Sequence, residues 1–131
     1  PMPRPRHRPL ARLAAGLALL LAVAAAPAAD APQVRVETSL GSFVLQLDPA
    51  RAPLTVANFL AYAAAGHYTG LTFHRVVDGF VIQGGGYTPE LELRPVKAMV
   101  PNESGNGLSN RRGTVAMART SEPHSADAQF Y

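Results

Sequence analysis

Apolar and polar residues alternate strictly along Val34-Arg35-Val36-Glu37-Thr38 and again along Phe43-Val44-Leu45-Gln46-Leu47, the period of a half-buried strand. Ser39 to Ser42 supplies a turn between them, so residues 34–47 are expected to form a β-hairpin with Phe43, Leu45 and Leu47 inward. The period then lengthens. Val56, Phe59, Leu60 and Ala63 recur at helical spacing behind Pro53, whose missing N–H suits a first helical turn, and Gly66 is a natural stop. The alanine-rich run 61–65 lets this helix approach a sheet closely. A further apolar stretch from Phe73 to Ile82 is divided by Asp78-Gly79, which predicts strand, tight turn, strand. The dipeptide leaves open whether the two strands pair or only bend apart. Short strands are also expected at 97–100 and 114–118, with irregular segments at 87–95, 101–112 and 120–128.

Composition changes this picture at the N-terminus. The whole chain of 131 residues carries a formal charge of +3, which invites a nucleic-acid partner. Yet Arg4, Arg6, Arg8 and Arg12 precede an apolar run from Leu13 to Ala26 and an Ala26-Pro27-Ala28 cleavage site, the order of a secretory signal peptide. Residues 1–28 are therefore expected to be removed, with 29–33 a linker; the competing reading of 13–26 is an uncleaved N-terminal anchor. The remainder holds eight basic and nine acidic side chains, a net charge of −1. The basic excess lies wholly in the leader, so neither nucleic acid nor a stable membrane association is expected of the mature protein. Localisation in the periplasm or secretion follows from the same leader. With no cysteine, disulfides and lipid anchoring at a cysteine are both excluded.

The stretch Phe73 to Gly86 reads F-H-R-V-V-D-G-F-V-I-Q-G-G-G and concentrates the polar chemistry. Side chains alternate along a strand, which places Arg75 with Phe73 and Val77 and sets His74 on the other side. By strand pattern alone, Arg75 and Gln83 are ordinary scaffold residues and His74 is a core histidine with its hydrogen bonds satisfied. Gly84-Gly85-Gly86 has neither a following Lys-Ser/Thr nor the spacing of a dinucleotide loop, so it is expected to allow a bulge or close backbone packing. His67, His74 and His124 lie on separate elements, giving no metal site, and the serines lack a nucleophile elbow. Without an acid, base and nucleophile in such an arrangement, hydrolytic catalysis has no support.

Together with Tyr68 and Leu71, the residues Phe73 to Val77, Phe80, Val81, Gln83 and Gly85 resemble the signature of the cyclophilin-type peptidyl-prolyl cis-trans isomerases. The resemblance continues through Asn102-Glu103, Gly113 to Arg119 and Gln129-Phe130, and is most like the periplasmic bacterial branch. It implies a mainly β fold with one or two helices, a cyclophilin-like antiparallel β-barrel over residues 34–131. Such a domain has eight strands and two helices, and this chain covers about its first two thirds. The barrel is accordingly expected to be incomplete at the C-terminus, and the chain to fold poorly or work weakly.

The implied function is peptidyl-prolyl cis-trans isomerisation in assistance of protein folding, on proline-containing polypeptides, by a monomer without cofactor. Arg75, Gln83 and His74 take the catalytic roles by that resemblance. Phe80 and Val81 line the proline pocket, Ala118 and Arg119 bind the substrate backbone, and Gln129 and Tyr131 complete the pocket. Val81 replaces the methionine of many relatives and Tyr131 their usual phenylalanine, which implies a pocket of different depth and polarity. The competing expectations are a proline-segment-binding module without turnover and an inactive fragment.

Overall fold

The computed structural model describes residues 31–131, so the leader, 1–28, lies outside the described residues. β1 (Gln33–Thr38) and β2 (Gly41–Gln46) pair antiparallel over six positions, with Val34 opposite Leu45 and Val36 opposite Phe43. The turn is tighter than the sequence predicts, because Ser42 already pairs with Glu37. The Thr38 hydroxyl closes it by donating to Gly41 O at 2.7 Å and accepting from Leu40 N at 3.2 Å. Gly41 has φ 126°, a backbone open to glycine and strained for other residues.

α1 (Pro53–Ala64) starts at the proline and ends as expected at Gly66, whose φ is 71°. Gly66 N donates to Ala63 O and His67 N to Tyr62 O, both at 3.0 Å, which is the paired closure of a Schellman motif. The accompanying ring contact is His67 on Tyr62, with centroids 4.8 Å apart. The N-terminus has no side-chain cap of its own, since Ala52 occupies that position. Glu103 supplies one from 48 and 49 residues away, accepting from Leu54 N at 3.0 Å and Thr55 N at 2.8 Å. Two of the donors that the helix start leaves without partners are thereby satisfied.

The buried face of α1 is Val56, Phe59 and Tyr62. Tyr62 did not belong to the apolar series read from the sequence, and its burial explains a second difference. The expected strand at 97–100 does not form, because its donors are taken. Lys97 N and Ala98 N both donate to the Tyr62 hydroxyl, at 3.0 and 3.1 Å, and that hydroxyl donates to Ala98 O at 2.9 Å. A buried tyrosine needs such partners for its hydroxyl. Only Val100 makes a β-bridge, to Ala126.

β3 (Arg75–Val77) and β4 (Val81–Gln83) form an antiparallel hairpin in the register Arg75 with Gln83, Val76 with Ile82 and Val77 with Val81. The alternative left open by Asp78-Gly79 is decided in favour of pairing. Gly79 sits at φ 67° and Phe80 N donates to Val77 O. Beyond β4, Phe130 bridges on one side to Gly84 and on the other to Met117. Ala116 and Tyr131 exchange both main-chain hydrogen bonds, so the expected strand at 114–118 exists as a short ladder on residues 129–131. Among the described residues the named strands form two two-stranded sheets.

Leu47, Val56, Phe59 and Phe130 make the buried core, with Val34, Leu45, Tyr68 and Phe73 packed against it. Phe130 is its hub, meeting Phe59, Tyr68 and Phe73 edge-on at centroid distances of 5.6, 5.6 and 6.1 Å, the arrangement ring quadrupoles favour. Tyr68 enters this apolar cluster with its hydroxyl donating to Ala128 O at 2.9 Å. Burial, with Tyr62 and Asp127 nearby, raises its pKa well above the ordinary tyrosine value.

Candidate active site

The β3–β4 register puts Arg75 and Gln83 directly opposite each other, hence on one face of the hairpin with Val77 and Val81. Arg75 Nη1 donates to Gln83 Oε1 at 3.2 Å. The guanidinium carbon lies 5.7 Å from the centroid of the Phe80 ring, within cation–π range. Phe80 occupies the turn rather than the strand and is 71% exposed. Neither ion pair among the described residues, Arg35–Glu37 and Arg51–Asp48, involves Arg75. Its charge is not neutralised by a carboxylate of these residues.

Gln83 Nε2 in turn donates to Gln129 Oε1 at 3.2 Å. A polar chain therefore runs Arg75, Gln83, Gln129 along the surface of the hairpin. Its base is the glycine run. Gly84, Gly85 and Gly86 are all buried, and a Cβ on Gly84 would lie 2.9 Å from the Phe73 ring, one on Gly85 2.7 Å from Ala128 O. Both distances are shorter than side chains tolerate, so close packing rather than a bulge is the use of these glycines.

The His74 ring packs against Tyr87 with centroids 4.5 Å apart and planes tilted by 55°. Its Nδ1 is buried without a hydrogen-bond partner, unlike the satisfied core histidine expected from the strand pattern. Burial, and then the charge of adjacent Arg75, holds its pKa below the ordinary histidine value. The ring is thereby kept neutral beside the guanidinium, since a second cation there would be unpaired. The histidine that does satisfy a core role is His67, whose Nε2 meets Gly85 O at 3.1 Å.

Of the other residues singled out from the sequence, Val81 is half-buried on the Arg75 face. Ala118 N donates to Gln129 O at 2.9 Å, so that donor is engaged within the protein. The Arg119 guanidinium folds over its own loop, Nη1 donating to Thr120 O at 2.9 Å. The Tyr131 hydroxyl accepts from Asn110 Nδ2 at 3.0 Å. Arg119 and Tyr131 line a separate cavity of about 460 Å³ floored by Leu47, Val56 and Phe130. The structure thus brings Arg75, Gln83, Phe80, Val81 and Gln129 together beside His74. It attaches Ala118 to them through the backbone, while Arg119 and Tyr131 make the loop contacts just named. The described residues hold no cluster of three or more His, Cys, Asp or Glu placed to take a metal.

Sequence reasoning missed the Glu103 cap and the direct link from Gln83 to Gln129. Asn102-Glu103 belongs to the motif pattern, but a carboxylate bound to a helix so distant in sequence leaves no local signal. The resemblance assigns Gln129 to the pocket, and its contact with Gln83 depends on the bridge from Gly84 to Phe130.

Comparison with known proteins bears directly on this arrangement. The family model described as cyclophilin type peptidyl-prolyl cis-trans isomerase/CLD matches residues 33–131. A peptidyl-prolyl cis-trans isomerase of Streptomyces antibioticus is 55% identical over 98 residues, covering 75% of this chain and 59% of that protein. Peptidyl-prolyl cis-trans isomerase B of Escherichia coli is 49% identical over 98 residues, covering 75% and 60%. The chain spans about three fifths of the length of these relatives. Among solved structures, a cyclophilin type isomerase from Cryptosporidium parvum, determined in the presence of the dipeptide Ala-Pro, superposes with a TM-score of 0.63. It is 30% identical, with 76% of this chain and 65% of that chain covered.

Proposed function

Because the chain belongs to the cyclophilin-type peptidyl-prolyl cis-trans isomerase family, we propose that it catalyses rotation about X-Pro peptide bonds in proline-containing polypeptides and so assists protein folding. The barrier to that rotation is about 18–20 kcal/mol, because twisting breaks amide conjugation. No covalent bond forms or breaks, so the catalyst has only to bind the twisted amide more tightly than either planar isomer. As conjugation is lost the proline nitrogen pyramidalises and regains a lone pair. A fixed cationic donor aimed at that nitrogen acts in the transition state and hardly at all in the ground state.

Arg75 suits this role chemically. Its guanidinium stays charged at any working pH and its planar fork holds direction. A hydrogen bond to a charged group contributes about 1.5–3 kcal/mol, roughly ten- to a hundredfold in rate. Gln83 orients it and offers its amide to the rotating bond, and His74 stays neutral beside it. Phe80 and Val81 meet the proline ring, confining rotation to the acyl half. The observation that carries this reading is the Arg75 guanidinium held by Gln83 at 3.2 Å and 5.7 Å from the Phe80 ring. The test is cis/trans exchange of an X-Pro peptide, followed by NMR. Arg75→Ala should slow catalysis roughly ten- to a hundredfold while leaving the fold intact. Equal rates for the two proteins would remove Arg75 from the mechanism, and binding without turnover in both would favour a proline-binding module.

The protein acts in the periplasm or as a secreted monomer, without a nucleic-acid partner. The support is the basic and apolar leader at 1–28, whose removal leaves a net charge of −1. Mass spectrometry of the exported protein should find Ala29 at its N-terminus. Retention of residues 1–28 would contradict this placement.

A further inference from the structure

The Arg75–Gln83–Gln129 chain has a polarity that its first member dictates. An arginine side chain can only donate, so Gln83 must turn its oxygen toward Arg75 and its NH2 away. That NH2 needs an acceptor, and Gln129 provides Oε1 at 3.2 Å. Gln129 must then turn its own NH2 away from Gln83. Its Nε2 lies on the Gly86 side, 2.8 Å from where a Cβ on that residue would stand.

The room there exists because residue 86 lacks a side chain. A Cβ on Gly86 would stand 2.6 Å from Gln129 Cδ, 2.8 Å from Cγ and 2.8 Å from Nε2. Carbon atoms in good contact lie about 3.5–4.0 Å apart, so the two groups cannot coexist as placed. The collision is unlike those at Gly84 and Gly85, where a Cβ would meet a packed ring or a main-chain carbonyl. At Gly86 the nearest neighbours are the three side-chain atoms of Gln129. Gly86 also has no positive φ, so alanine is compatible with its backbone. Substitution there would displace the amide of Gln129 and leave the core in place.

We propose that Gly86 is a positioning residue for the isomerase site: its missing side chain seats the Gln129 amide, which orients the Gln83 amide and through it the Arg75 guanidinium. The inference rests on the isomerase reading for its catalytic consequence, but the orientation of Gln83 can be read without catalysis. Displacing Gln129 frees the Gln83 amide to rotate. In its flipped state it would present donors to a donor.

The experiment compares the chain with Gly86→Ala, Gln129→Ala and the double variant. Two readouts are taken: X-Pro isomerisation, and the NMR signals of the Gln83 side-chain NH2 and the Arg75 guanidinium. Loss of one neutral hydrogen bond in the relay should lower kcat/KM roughly three- to tenfold in Gly86→Ala. KM should move little, and the Gln83 NH2 signals should shift toward those of a solvated amide. In the Gln129→Ala background, Gly86→Ala should add nothing further, because there is no amide left to displace.

Multiplying effects of the two substitutions, or Gln83 and Arg75 signals unmoved by Gly86→Ala, would overturn the proposal. Should Gly86→Ala alone fail to fold, the double variant decides: refolding once the Gln129 amide is gone supports the seat, and continued failure refutes it. If the unaltered chain turns over no X-Pro bond, the isomerase reading fails. The amide signals then still test whether Gly86 sets the relay.

Discussion

β1–β2 and β3–β4 are both antiparallel hairpins, but the first pairs six residues on each strand and the second three. The first sends Val34 and Leu45 toward the core and continues into buried Leu47. It leaves Leu40 at its turn 98% exposed with no chemistry attached. The second leaves Arg75, Val76 and Phe80 outside the core and is held instead by what lies beneath it: the Gly84–Phe130 bridge and the Gln83–Gln129 hydrogen bond. Apolar burial is worth about 25 cal/mol per Å², so the first hairpin stabilises the fold directly. The second contributes less and keeps a cation and an aromatic ring accessible. Positioning there depends on directed polar contacts, which tolerate exposure, while stability depends on contact area.

Phe130 connects the two, and its removal should have the largest effect. Phe130→Ala deletes a ring that is 7% exposed and meets three other rings. A loss of about 3–5 kcal/mol in unfolding free energy is expected from denaturant titration. Because the same residue bridges to Gly84, the Gln83 side-chain signals should broaden together with the core. A core loss that left the β3–β4 hairpin signals sharp would show the second hairpin to be independent of the first.

The next effect confines itself to the core side. Glu103 sits against the start of α1, and although burial by itself would raise its pKa, the Thr55 and Leu54 N–H donors hold the carboxyl below its ordinary value. A folded pKa below the unfolded one means the carboxylate form stabilises the fold above the ordinary glutamate value. That contribution is lost as pH falls through the lower folded value. Glu103→Gln should cost about 1 kcal/mol at neutral pH, the typical worth of a helix cap. It should also flatten the acid limb of a melting-temperature profile below about pH 4.3. An unchanged acid limb would separate the cap from the acid sensitivity of the fold. Arg75→Ala stands at the bottom of this scale for stability, with a shift within about 0.5 kcal/mol expected for an exposed side chain. Its effect belongs to the rate, and a large stability loss would mean that the second hairpin shares the work of the first.

Much of the fold was legible because it follows from local periods. Alternation at 34–38 and 43–47 fixes which side chains share a face, although Phe43, expected inward, stays 37% exposed, and Pro53 and Gly66 bracket α1 through φ alone. The pairing of β3 with β4 was not legible, since Asp78-Gly79 permits a turn or a bend. The absent strand at 97–100 could not be foreseen either, because its donors are claimed by Tyr62 from another element. For the site, Arg75, Phe80, Val81 and Gln83 were found through the motif around them. That Gln129 touches Gln83 depends on contacts between residues far apart in sequence.

The sequence by itself determined the hairpin and helix elements, the absence of cysteine and the residue types gathered between Phe73 and Gly86, because backbone φ preferences and side-chain alternation act within a few residues. Tertiary structure alone decided that Glu103 caps α1, that the Gly84–Phe130 bridge brings Gln129 to Gln83, and that Gly86 leaves room for its amide. Those outcomes require atoms from distant segments to meet within about 3 Å for hydrogen bonding, and only the packed core around Phe130 sets such distances.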